Sequence, residues 1–192
     1  MKTFVYAFWI FAIGFAVHSK VAAEPNLHIQ VVVDDSGFIQ DENDPRGATN
    51  FRNFVETFLQ QLGREHRRDR DATTIRIISA DEPPKTVWTG SASDFARRGR
   101  QEANVAALYN SRPVGCNNLP AALEEASVNR TVVPAETHQL YLITSGVHIE
   151  PERCQEVDQE MFKNMLQLID KDLVLRIGRM TEAFDHLSVH FL

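Results

Sequence analysis

Residues 27–34 begin with alternating side chains, Leu27-His28-Ile29-Gln30, then run Val31-Val32-Val33 straight into Asp34 and Asp35. A β-branched run of this kind reads as a strand buried on both faces, with acidic residues where it leaves the sheet. After a polar loop, "DENDPRGA", the pattern changes period. Phe51, Phe54, Val55, Phe58, Leu59 and Leu62 fall on one helical stripe over 49–63, with Thr49 or Asn50 as cap and Gly63 as stop. The aromatic residues of this stripe are read as core. "TTIRIISA" and "KTVWTGSA" are β-rich segments flanking "DEPP", which predicts a strand pair around a proline-containing turn.

Further on, the pattern predicts a helix over 94–110, interrupted in character at Gly99, and a short helix over 118–127 with Pro120 near its start. "HQLYLITSG" (138–146) reads as the fourth strand, 156–172 as a helix, and "LVLRIGRM" (173–180) as a fifth strand. The tail 183–192 fits either a helical turn or a sixth strand. Strands alternating with helices predict an α/β domain: a central, mostly parallel sheet with helices on both faces and an antiparallel edge strand.

Ahead of the first strand, Lys2, an apolar stretch from Phe4 to Val17 and small residues at Val21 and Ala23 predict a secretory signal peptide, residues 1–23. The alternative is a retained membrane anchor, but a run of about 14 apolar residues is short of the ~20 that a spanning helix needs. Cleavage leaves one domain, 24–192. It also removes Lys2 and Lys20, so that 18 basic residues face 26 acidic ones, a net charge of −8. An acidic surface argues against nucleic acid or an anionic membrane as the main partner. "REHRRDR" (64–70) is a local exception, read as a solvated loop or a small contact patch. In an exported chain Cys116 and Cys154 are an even pair that predicts a disulfide, with two buried thiols as the alternative. "NRT" (129–131) would be a glycosylation acceptor in a eukaryotic secreted protein.

Three segments, "DDSG", "GCNNLPAALEEA" and "LYLITSG", should meet at the carboxyl rim of such a sheet, where ligands of open α/β folds sit. Together they resemble the von Willebrand factor A-type (vWA) domain, whose metal-ion-dependent adhesion site combines Asp-x-Ser-x-Ser, a Thr before an "NL..AL" helix, and an Asp-Gly. The resemblance implies a Rossmann-like vWA fold and an adhesion- or assembly-type protein-binding module of the bacterial cell envelope, periplasmic or extracellular. Residue by residue the site is partial. Asp34 and Ser36 match, Phe38 replaces the second Ser, Asn117 stands for the Thr with an amide oxygen able to coordinate, and Ser145 replaces the Asp.

One carboxylate among five positions implies that Mg²⁺ or Ca²⁺ binds weakly or not at all, because hard cations want several anionic oxygens. Asp35, Phe38, His148 and Glu150 are then candidate partner contacts, with Asp41, Glu42 and Asp44 in the adjoining loop. His186 and His190 have the spacing of a metal pair if the tail is helical, but with no third ligand evident they are read as surface or packing residues. Asp34 is also the residue that a haloacid-dehalogenase-like Mg-dependent phosphatase would use as nucleophile, but Ser36 occupies the place of that family's general acid. A receiver domain fits less well, with no Lys-Pro after a late strand. No other catalytic set is evident, so the sequence points to a non-enzymatic protein.

Overall fold

The computed structural model describes residues 26–34, 46–68, 72–110, 117–144 and 171–191. The proposed signal segment and its cut site, and Cys116 and Cys154, lie outside these residues. Within them five strands form one sheet: β1 (Leu27–Val33), β2 (Thr73–Ser79), β3 (Lys85–Ser91), β4 (Thr137–Thr144) and β5 (His186–Phe191). The order is β3-β2-β1-β4-β5. β1 lies parallel to both β2 and β4, β5 is parallel to β4, and β3 is antiparallel to β2 at the edge. The expected mostly parallel sheet with an antiparallel edge strand is thus present, with the first and fourth strands adjacent and central.

Helices cover both faces. On one, α1 (Arg46–Glu65), α2 (Ala92–Arg97) and α3 (Ala103–Asn110) pack over Ile29, Val31, Val33, Ile75, Ile77 and Ile143. On the other, α4 (Leu119–Val132) and α5 (Lys171–Ala183) close over Val32, Ile78, Leu140 and Leu142. The Val31-Val32-Val33 run has neighbours on both sides, as a strand in the middle of a two-layered core must.

Several boundaries differ from the sequence pattern, each for a physical reason. Helix α1 starts at Arg46, so Thr49 and Asn50 are inside it rather than caps. It continues through Gly63, where an added Cβ would lie 3.4 Å from the Ala96 backbone; the glycine marks a close helix approach, not a stop. The predicted helix over 94–110 is three pieces, α2, a 3₁₀ turn at Gly99–Gln101 and α3. A Cβ on Gly99 would sit 2.2 Å from Cδ2 of the fully buried Phe95 ring, so the chain passes there only as glycine.

"LVLRIGRM" is not a strand but most of α5. Its inward residues, Ile177 and Met180, continue to Phe184 at the i, i+3, i+7 spacing of a helix face, while Val174 and Leu175 are exposed. The fifth strand is instead the tail, which settles its ambiguity and puts His186 and His190 on a strand rather than a helix. The predicted helix over 156–172 lies outside the described residues except for its last two. Among the described residues no helix is long and apolar enough to cross a membrane.

The floor beneath α4 is divided. Near the carboxyl rim it is apolar; toward the other end it is a polar layer of His28, Gln30, Thr74, Arg76 and Asn129. Asn129 Nδ2 donates to His28 Nε2 (3.0 Å) and Gln30 Oε1 (3.1 Å), and its Oδ1 accepts from Arg76 Nη1 (2.6 Å). Gln30 Nε2 donates to the Ala126 carbonyl (2.9 Å), and Arg76 Nη2 pairs with Glu125 (2.5 Å), which also accepts from Thr86 Oγ1 (2.9 Å). An Nε2 that accepts leaves Nδ1 to carry the proton, and it meets Thr74 Oγ1 at 2.7 Å. Burial, then the neighbouring His138 and Arg76, push the His28 imidazole down to about 4. Asn129 is 5% exposed, so a glycan at "NRT" is incompatible with this packing.

Candidate functional site

The rim forms where β1, β2 and β4 end and α4 begins. The backbone N–H of Asp34 donates to the Ile143 carbonyl (2.8 Å), extending the β1–β4 ladder by one residue. Ala80 N–H reaches Val33 O (2.9 Å), and Asn118 N–H reaches Ala80 O (2.7 Å), tying the start of α4 to the end of β2. Asn118 also caps α4, its Oδ1 accepting from Ala121 N–H (3.0 Å), and its Nδ2 donates to Glu82 (2.6 Å). The Asn-Asn pair before the helix therefore divides its labour: Asn118 holds the helix, and Asn117 faces Asp34.

Asp34 is fully buried. Its Oδ2 accepts a 2.5 Å hydrogen bond from Thr144 Oγ1, and its Oδ1 one of 3.3 Å from Asn117 Nδ2. A buried carboxylate is tolerable only with such donors, and two of them come from segments 83 and 110 residues away in sequence. Thr144 lies one residue before Ser145, the position that the sequence pattern gives to the aspartate. The signal was present: Thr144 is the last residue of β4 and pairs across the sheet at the height of Asp34. Asn117 joins the site as expected but turns its amide nitrogen, not its oxygen, to Asp34.

Of the other candidates, Asp35, Ser36, Phe38, Ser145, His148 and Glu150 lie outside the described residues, as do Asp41, Glu42 and Asp44. His186 and His190 are on β5, away from Asp34. His190 packs among Phe54, Phe58 and Tyr141, with Ser188 Oγ 3.1 Å from its Nε2. Among the described residues no three His, Cys, Asp or Glu side chains gather to hold a metal. Around Asp34 those residues offer its own carboxylate, the Thr144 hydroxyl and an amide turned donor-first. A hard divalent cation takes six or more oxygens, several of them anionic, so these residues alone do not complete a shell; Ser36 and Ser145, the other matched positions, lie outside the described residues.

No family model and no characterised protein matches the sequence. Similar solved structures include the pilus adhesin SpaC of Lactobacillus rhamnosus GG, at 22% identity over 65% of this chain and 16% of that one, with a TM-score of 0.49. Another is the vWF domain of the type V pili tip protein Mfa5 of Porphyromonas gingivalis, at 15% identity over 66% of this chain and 40% of that one, TM-score 0.48. A von Willebrand factor type A structure from Catenulispora acidiphila aligns at 14% identity over 86% of this chain and 33% of that one, TM-score 0.47. The chain thus spans well under half the length of each of these relatives, and the three are similar to it in backbone.

Proposed function

We propose that this chain is an exported protein-binding module of the adhesion or assembly type, vWA-like in fold, that catalyses nothing and binds Mg²⁺ or Ca²⁺ weakly or not at all. The observation that carries this reading is the state of Asp34: buried, with Thr144 and Asn117 donating to its two oxygens. A nucleophile needs an exposed lone pair directed at substrate; this carboxylate instead ties the end of β1 to the end of β4 and to the start of α4. The loops 35–45 and 147–153 and the candidate contacts Asp35, Phe38, His148 and Glu150 then present the binding surface, in the periplasm or outside the cell. A disulfide between Cys116 and Cys154 would tie the segment before α4 to the segment after β4.

The test uses the mature protein and its Asp34→Asn variant, both verified as folded by circular dichroism. A discrete partner captured from cell-envelope fractions by the wild type, retained through EDTA and lost in the variant, is the expected result. Mg²⁺-dependent phosphate release from an aryl phosphate by the wild type, abolished by Asp34→Asn, would establish the phosphatase alternative instead. A one-to-one micromolar Mg²⁺ or Ca²⁺ isotherm, lost on Ser36→Ala, would overturn the metal-free reading.

A further inference from the structure

Between α1 and the β4–β5 side of the sheet, on the face opposite α4, lies a groove of about 320 Å³. Its walls are aromatic. Phe54 and Phe58, one turn apart on α1, lie with ring planes 16° apart and centroids 6.1 Å apart. Tyr141 of β4 and His190 of β5 form the second wall, their planes 17° apart at 6.4 Å. The walls are inclined to each other: Phe58 meets Tyr141 at 60° and 5.3 Å, and His190 at 59° and 5.5 Å. All four rings are half-buried, with part of each left to solvent.

Glu65, exposed at the end of α1, is the single acid or base other than His190 lining the groove among the described residues. Gln61 Nε2 donates to its carboxylate at 2.8 Å. Its charge is felt across the groove: burial, and then Glu65, push the Tyr141 phenol above its ordinary value. Arg64, Arg67 and Arg68 share that end of the helix but line a separate polar hollow with Glu65.

We propose that this groove receives a cationic side chain, arginine or lysine, from a protein partner, with Glu65 as its counter-ion. Aromatic faces carry negative potential and attract cations, and the charge felt by Tyr141 across the groove is that of Glu65. A purely apolar occupant would take water from Glu65 without adding a charged partner to the Gln61 hydrogen bond, which is unfavourable. A guanidinium fits best, because it stacks on rings and offers several donors to one carboxylate. The site is independent of Asp34 and stands whatever the rim binds.

The test is an NMR titration of the full chain with N-acetyl-arginine amide, N-acetyl-lysine amide and the neutral N-acetyl-citrulline amide. The expected result is saturable shifts at Tyr141, His190 and Phe58 for the two cations, with citrulline weaker by about fivefold, the size of an exposed cation–π contact. Glu65→Gln, at an exposed position that leaves the core untouched, should weaken the cations by a similar factor and leave citrulline unchanged. Equal response to citrulline, no saturable shift with either cation, or a Glu65→Gln protein that titrates like wild type would each overturn the proposal.

Discussion

Replacing Asn129 by alanine removes the hub of the polar layer beneath α4. Three partners lose it at once: His28 Nε2 and Gln30 Oε1, each buried, lose a donor, and Arg76 loses an acceptor at 2.6 Å. A buried polar group left without a partner costs about 1–3 kcal/mol, more for a charged one. Arg76 keeps Glu125 and is partly exposed, so its share is small. The expected loss is about 3–5 kcal/mol, which lowers the melting temperature by about 10 °C in a domain of this size. Urea unfolding followed by far-UV circular dichroism measures it. Val132→Ala, on the same helix at 68% exposure, is the control and should change stability by under about 0.5 kcal/mol. A loss below about 1 kcal/mol for Asn129→Ala, with unchanged denaturant slope, would mean that the layer is rescued by water and that its geometry carries little energy.

The same layer sets an acid limit. Unfolded His28 takes up a proton near 6.5 and the folded residue only near 4, so in that window the unfolded chain binds more protons and stability falls as pH falls, by about 3 kcal/mol in all. Urea midpoints from pH 7.5 to 4 should show this slope reduced in His28→Gln, and an identical slope in both proteins would refute it. Gly99→Ala is expected to destabilise by about 1–3 kcal/mol because its methyl meets the buried Phe95 ring, whereas Gly178→Ala, where a Cβ meets nothing within 4 Å in the middle of α5, should stabilise by about 0.5–1 kcal/mol. Paired thermal melts test both signs together. Thr144→Val should cost about 2 kcal/mol by removing the short hydrogen bond to Asp34, and a variant as stable as wild type would show that the rim carboxylate has other support.

Where a strand is buried on both faces, as in β1, the run of apolar residues is unambiguous, and sheet order follows from few alternatives. The edge pair β2–β3 was legible through its turn residues. What misled was apolar surface: Val174 and Leu175 are outside, and counting them as core turned a helix into a strand. His28 and Gln30 look like the wet face of an alternating strand, yet they are buried, because a helix brings Asn129 to satisfy them from about a hundred residues away. Pairing at that separation leaves no local trace. The rim was half legible for the same reason: Asp34 announces itself after the valines, while the role of Thr144 appears only when β4 lies beside β1.

The two-part floor under α4 has a mechanical meaning. A helix on a wholly apolar sheet can slide by a turn, since one leucine-lined hollow resembles the next. Here a slide of about 5 Å would carry Asn129 onto leucines and strand the partners it serves. The polar layer therefore works as a detent, and the height of α4 along the strands is indexed at its far end. Asn117 and Asn118 inherit that height about three turns away. The start of α4 at the rim is thereby held in place from the opposite end of the helix.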